Sequence, residues 1–479
     1  MNIYIEVASL SLTINSSYQA YLILSHACFI FQSNMISSIR IILSLGSFLL
    51  LFISSTTAKT SFRPKALVLP VTKDISSSTP QYVTQIKQRT PLVTVNLTVD
   101  LGGGYVWVNC QHGYVSSTSK SVACGSAQCS LFGSSSCSGD KVKLCGGFPS
   151  NTVTGVSTSG DVRSDVVSVE STDGNSAGRA VTVPKFLFIC GSDVVQKGLP
   201  KGVTGMAGFG RTKVSLPSQF SSAFSFSRKF AICLSSGTIN SKGVIILGDA
   251  PYNFGYLNSD ISKALNFTPL ITNPVSTAPI SSLGEPSYEY FIGVKSIVIS
   301  DKEVPLNKSL LSINKNGVGG TKISTVNPYG ILETSIYKAV SKAFVKAVGV
   351  KTVSPVSPFG TCFTQHEIGS TQMGPAVPDI KLVLQNGVVW DIIGANSMVQ
   401  FSNIDVICLG FVDGGSKPKS SQVGFIPMTG DQPTTSITIG GLQLENNLIQ
   451  VDLARSRLGF RSIFSDHSNC ANFNFTSSV

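Results

Sequence analysis

The sequence predicts a mainly all-β fold, and three observations predict it. Only 13% of the 479 residues are charged, while 44 are Gly and 22 are Pro, with Ser and Thr recurring in clusters. That composition suits many short strands joined by tight turns better than long helices. From Pro91 onward, short apolar segments alternate with turn residues, as at 180–189 ("AVTVPKFLFI"), 230–234, 244–247 and 290–299. The chain also falls into two similar halves. A Gly-rich turn between apolar strands at 100–104 has an irregular equivalent at 324–330, and each half later carries an apolar strand running into glycines, "GVTGMAGFG" (202–210) and "SITIGG" (436–441). A chain of this length can hold two or three domains and bury a large core.

Residues 1–34 read as an upstream extension from a mis-chosen start codon, with Met35 as the true initiator. Residues 35–40 supply a short basic start, 41–53 are almost wholly apolar, and small residues follow to Ala58. That order is a secretory signal peptide, 35–58. The run is shorter than the roughly 20 residues a spanning helix needs, so no membrane anchor is expected after cleavage.

The cysteines support that boundary. Of 11, only Cys28 lies in the leader, leaving Cys110, Cys124, Cys129, Cys137, Cys145, Cys190, Cys233, Cys362, Cys408 and Cys470. An even count after a signal peptide reads as disulfides, with the pairing left open. Zinc is disfavoured for the 124–145 cluster because His112 is the one histidine near it, and no metal or cofactor is expected. Secretion gives meaning to the Asn-x-Ser/Thr triplets at Asn96, Asn266, Asn307 and Asn474 as glycosylation candidates. The net charge of +11 favours adhesion to acidic polysaccharide or acidic proteins. Nucleic acid is excluded as a partner, since no basic run carries interleaved aromatics.

The first lobe is expected over 80–258 and the second over 289–465. Between them, 259–288 is rich in Ser, Pro and Asn and reads as linker or long loop, as does 414–433. Two helices are expected, a short one over 215–224 and a clear one over 332–348. In the second, Ile336, Val340, Phe344 and Val348 share one face at four-residue spacing, with Lys338, Lys342 and Lys346 on a solvated face.

Together, "VDLGGGYVWVNC" (99–110), "GMAGFGRTKVSLPSQ" (205–219) and "ITIGGLQLENNLIQVDLARSRLGF" (437–460) resemble a pepsin-type aspartic protease. The resemblance covers about 80–465 and implies a bilobal double β-barrel with a few short helices and one catalytic Asp turn per lobe. A narrower resemblance rests on "SFRPKALVLPVTKD", "GGTKISTVNPYGILETSIY", "EYFIGVKSI" and "CANFNFTS". These segments are similar to the plant extracellular dermal glycoproteins, a group that includes xyloglucanase inhibitors, xylanase inhibitors and basic 7S globulins. Members are secreted to the apoplast or cell wall, disulfide-bonded and glycosylated; several bind microbial glycoside hydrolases and several lack protease activity.

The resemblance also frames the site. An aspartic protease needs two carboxylates about 3 Å apart that share one proton. Asp100 supplies the first, but Leu101 and Gly103 follow in place of hydroxyl residues. Aligning "GGTKISTV" (319–326) on the protease pattern puts Ser324 at the second Asp, followed by Thr325 and Val326. A serine hydroxyl cannot share that proton, so both positions are expected to be vestigial. Asp161 and Asp165, in "VSTSGDVRSD" (156–165) where the family places its flap, are expected as exposed loop acids.

The inhibitor relatives imply that basic second-lobe loops enter the target's cleft, where a cation pairs with two catalytic carboxylates. Matching those loops nominates Lys351, in "GVKTVSPVSPF", and Lys417 or Lys419, in "GGSKPKSS". The expected partner is a microbial cell-wall-degrading glycoside hydrolase, first a xyloglucan-specific endoglucanase and next a xylanase. The alternatives are a non-inhibitory wall or storage protein and a residual acid protease. Two departures from the relatives stand out. Residues 421–435 lengthen a loop, and 137–145 lacks two cysteines.

Overall fold

The computed structural model describes residues 62–476, except 134–136, 139–142, 238–240, 254–259, 277–284, 402, 417–433 and 465–468. The expected extension (1–34), the expected signal peptide (35–58), Lys417, Lys419 and most of the 421–435 insertion lie outside the described residues.

Strand formation follows side-chain alternation. In Val93–Asp100, Val95, Leu97 and Val99 point to one face and are 3%, 0% and 0% exposed, the period-two pattern of a pleated strand. Burying each such side chain contributes about 1.5–3 kcal/mol before the entropy cost of ordering it. Among the described residues, twenty strands join in one sheet system.

The duplication read from the two Gly turns is a repeat of strand topology. Val93–Asp100 runs parallel to Val203–Gly208, with Asp100 opposite Gly208. Thr321–Ile323 runs parallel to Ile437–Ile439 in the same way. Val203–Gly208 is antiparallel to Trp107–Asn109, which runs parallel to Ala177–Gly191. Likewise Ile437–Ile439 is antiparallel to Gly330–Leu332, which runs parallel to Phe411–Asp413. The result is a mainly β, bilobal pepsin-like fold. Lys229–Cys233 carries the sheet across the halves, paired with Gly243–Gly248 on one side and Asn447–Asp452 on the other.

Both expected helices form. Leu216–Phe224 starts after Ser215. Thr334–Val348 is capped by Glu333, whose carboxylate accepts from the N–H groups of Ser335 and Ile336 at 2.8 and 3.2 Å. It ends at Gly349, whose φ of 74° a side chain would disfavour. Ile336, Val340 and Phe344 are buried, while the three lysines are exposed.

Other expectations differ from the structure. The apolar segment 290–299 breaks at Gly293 into Tyr290–Ile292, which stays in the large sheet, and Val294–Ile299, which joins Ile380–Leu384 in a four-stranded sheet. Part of the stretch read as linker is regular structure. Ile261–Ala264 is a 3-10 turn, and Asn266–Ile271 pairs with Arg457–Ser462. Its apolar positions are spaced by turn residues, which masked the strand. Regular structure also begins before residue 80, at Ala66–Asp74, paired with Gly243–Gly248.

All ten predicted cysteines are paired: Cys110–Cys190, Cys124–Cys137, Cys129–Cys145, Cys233–Cys470 and Cys362–Cys408. No helix among the described residues is long and apolar enough to cross a membrane.

Candidate functional site

Asp100 ends the Val93–Asp100 strand and is 3% exposed. Both of its oxygens accept hydrogen bonds: Oδ1 from the N–H of Gly102 at 2.8 Å, and Oδ2 from the hydroxyl of Thr152 at 2.7 Å. A Cβ on Gly103 would lie 2.9 Å from Asp100 Oδ2 and 2.9 Å from the Cα of Gly208. The glycine is therefore required by close approach, whatever the chemistry of the turn. Burial pushes the Asp100 carboxyl up to about 6, partly opposed by the hydrogen bonds from Thr152 and Gly102; the nearby charge of Glu289 raises it further and that of Lys322 lowers it.

Thr152 reaches Asp100 from a hairpin that the sequence placed differently. Leu144–Gly147 pairs with the start of Gly160–Thr172, and Ser150–Asn151 pairs with Val156–Ser157 beyond it. The tip over Asp100 is thus 152–155 rather than the 156–165 segment. The indole N–H of Trp107 donates to the carbonyl of Ser150 at 2.8 Å and holds the hairpin down. Asp165, expected as an exposed loop acid, is instead buried at a bulge in the Gly160–Thr172 strand. It accepts from the hydroxyls of Tyr114, Ser116 and Thr118 at 2.6, 3.0 and 2.6 Å, which replace water around the carboxylate. Asp161 lies half-buried on the same strand. Neither makes a hydrogen bond to Asp100 among the described residues.

At the second turn, Ser324 is 6% exposed. Its N–H donates to the carbonyl of Ile439 at 2.9 Å, and its hydroxyl accepts from the N–H of Asn327 at 3.3 Å. The two turns are joined by Thr325. Its hydroxyl donates to the carbonyl of Val99 at 2.7 Å and accepts from the N–H of Leu101 at 3.1 Å. Leu101 has no hydroxyl with which to return the contact, and its side chain is 1% exposed in the core.

Two further charged groups escaped the sequence reading. The ammonium of Lys322 lies 2.7 Å from Glu289 Oε1, with side chains 8% and 14% exposed. Glu289 flanks the same space over Gly102 as Asp100, since a Cβ there would lie 3.2 Å from Glu289 Oε1 and 3.4 Å from Asp100 Oδ1. The one local signal was a lysine inside the apolar strand Thr321–Ile323, where a charge requires a buried partner. Chemically, the site is a single buried carboxyl with donors on both oxygens, beside a second carboxylate neutralised by an ammonium.

Lys351 is exposed between Gly349 and the Thr352–Val353 strand and makes no ion pair among the described residues. Of the glycosylation candidates, Asn266, Asn307 and Asn474 are exposed. The side-chain oxygens of Asn307 and Asn474 accept from the backbone N–H groups of Ser309 and Thr476. Asn96 is half-buried, and its amide nitrogen donates to the carbonyl of Gly202 at 3.2 Å. No cluster of three or more potential metal ligands occurs among the described residues.

Comparison with known proteins gives a consistent result. The family model described as "Xylanase inhibitor N-terminal" matches residues 82–249, and "Xylanase inhibitor C-terminal" matches 289–462. Among relatives, the "Probable aspartic proteinase GIP2" of Nicotiana benthamiana is 56% identical over 89% of this chain and 96% of its own length. The "Basic 7S globulin" of Glycine max is 38% identical over 90% of this chain and 97% of its own. Among solved structures, "Crystal structure of edgp" superposes with a TM-score of 0.80 at 55% identity, covering 88% of this chain and all (100%) of that one.

Proposed function

We propose a binding rather than a hydrolytic role for this chain, which belongs to the xylanase-inhibitor family of aspartic-protease-like proteins. The observation that carries this reading is the state of the two turns. Both Asp100 oxygens accept from the chain's own donors, and the position aligned with the second catalytic Asp is Ser324. A hydroxyl that titrates far above neutrality cannot share a proton with Asp100, and loss of half a cooperative pair removes most of its rate advantage.

In this reading the rigid double barrel displays loops that inhibit a microbial glycoside hydrolase, a xyloglucan-specific endoglucanase first and a xylanase next. Such enzymes hold two carboxylates in a cleft, and an inserted cation pairs with both. Lys351 is the described candidate, exposed and without an ion-pair partner among the described residues. Lys417 and Lys419 belong to the same proposal. The five disulfides support a secreted, extracellular protein, consistent with a signal peptide at 35–58 and with the apoplast as its destination.

Two assays on the purified protein test the proposal. Tight, stoichiometric inhibition of one enzyme in a panel of xyloglucanases and xylanases is the expected result. Inhibition of none would favour a wall or storage binding protein. Protein digestion at acidic pH that disappears in Asp100→Ala would overturn the inert reading and establish the acid protease that one relative's name suggests.

A further inference from the structure

Away from Asp100, a cavity of about 320 Å³ opens beside the Gly441–Leu444 helical turn. Its wall includes Glu445, 3% exposed, whose Oε1 accepts from the Tyr82 hydroxyl at 2.6 Å and contacts the Lys73 ammonium at 2.7 Å. Burial raises the Glu445 carboxyl, and Lys73 and Tyr82 oppose the rise. The other oxygen, Oε2, has no hydrogen-bond partner among the described residues, and neither do the hydroxyl of Tyr329 nor the amide of Gln400, which line the same cavity. The rest of the wall combines the apolar Pro328, Met398 and Leu442 with Ser236, whose hydroxyl accepts from the Asn446 amide at 2.9 Å.

Tyr329 is half-buried and Gln400 exposed, so these groups are open to water, and a ligand hydroxyl that replaces that water keeps their hydrogen bonds. Cavities that bind small molecules run from about 300 Å³ upward and combine an apolar wall with a few converging polar groups. The charge state narrows the ligand further. The one cation and one anion in the wall already pair, so an added cation meets Lys73 and an added anion meets Glu445. A neutral ligand rich in hydroxyls fits both halves of this surface. Its hydroxyls meet an acceptor at Glu445 and a donor-acceptor pair at each of Tyr329 and Gln400, while its C–H faces meet the Tyr329 ring and the aliphatic wall.

From the free polar groups of Glu445, Tyr329 and Gln400 around this cavity, we infer that it is a binding site for a neutral pyranose unit. Lys351 is not among the residues lining this cavity, and the inference does not depend on hydrolase inhibition.

The test uses the full mature protein with cellobiose and xylobiose as probes, digalacturonate and a lysyl dipeptide as charged comparators, and titration by ligand-observed NMR. Saturable binding of a neutral disaccharide is expected. Tyr329→Phe and Gln400→Ala, each removing the polar group of a lining residue, should each weaken it by ~10-fold, the scale of one lost hydrogen bond. Both are solvent-accessible positions whose variants are checked for folding by thermal unfolding. The inference is overturned by no saturable binding to the wild type, by binding that both variants leave unchanged, or by preference for a charged comparator.

Discussion

The hydroxyl of Thr325 donates to the carbonyl of Val99 at 2.7 Å and accepts from the N–H of Leu101 at 3.1 Å, so one side chain from the second turn closes the backbone of the first. In a two-fold arrangement each turn would offer the other such a hydroxyl. Here the contact runs one way, because residue 101 is a buried leucine. The junction between the halves rests on a hydrogen-bonded hydroxyl on one side and apolar packing on the other.

Thr325→Val keeps the shape and removes the hydroxyl. It leaves a buried carbonyl and a buried N–H without partners, at about 1–3 kcal/mol each. Denaturant unfolding should show a lower midpoint with an unchanged m-value, while Thr325→Ser should lose much less. An unchanged midpoint for Thr325→Val would show that the bond contributes nothing.

Asp100 should make stability fall with pH over the range where its native and unfolded forms differ. Burial raises its folded pKa to about 6 from the ordinary aspartate value of 3.8. Native protein therefore binds more protons between those values. The contribution is fully present below about pH 4 and is lost as pH rises through about 6. Asp100→Asn removes this dependence and should stabilise the protein at pH 7 by on the order of 2–3 kcal/mol, with little effect at pH 4. Parallel pH–stability curves for the two proteins would refute it.

Lys351 should matter to a target enzyme and not to folding. Lys351→Ala should leave thermal unfolding unchanged and weaken hydrolase inhibition by at least ~10-fold, as expected when a desolvated cation leaves carboxylates unpaired. Lys351→Glu should weaken it further. Equal inhibition constants for wild type and both variants would place the contact elsewhere, on the loop that carries Lys417 and Lys419.

The buried pair of Glu289 and Lys322 gives an asymmetric expectation. Glu289→Ala strands the ammonium and should cost about 3–5 kcal/mol, whereas replacing both residues by Met should cost much less. Unfolding free energies of the single and double variants measure this directly. A double variant as unstable as the single would mean that the pair holds more than its own charge.

Glycan occupancy should follow accessibility. Expressed through a secretory pathway, the protein should carry glycans at Asn266, Asn307 and Asn474, with Asn96 unmodified because its amide nitrogen is engaged with Gly202. Peptide mapping after enzymatic deglycosylation reads each site by its mass shift. A glycan at Asn96 in folded protein would contradict the role given to that hydrogen bond.

Much of the fold was legible because its signals are local. The 3.6-residue period predicted a helix over 332–348, found at Thr334–Val348, and short apolar segments between turn residues predicted strands at 230–234 and 244–247, found at Lys229–Cys233 and Gly243–Gly248. The two Gly turns foretold a duplicated topology, since each needs a parallel neighbour running into glycines. The 259–288 stretch misled because Asn266–Ile271 is short and flanked by turn residues, so composition outweighed its pattern. Asp165 misled because a carboxylate in a polar sequence looks solvated, and nothing near it in the chain announces the hydroxyls of Tyr114, Ser116 and Thr118.

By itself, the sequence determined the residue types available at each turn, Asp100 in one and Ser324 in the other, along with the repeat that relates them and the even set of cysteines. Only the tertiary structure decided what surrounds Asp100: Thr152, 52 residues away, on its second oxygen, and Glu289 with Lys322 beside it. It also decided which cysteines pair, up to the 237-residue separation of Cys233 and Cys470. Strand and helix periods are written within a few residues of chain. A carboxyl's ionisation depends on burial and charge delivered by segments that meet only when the sheets close.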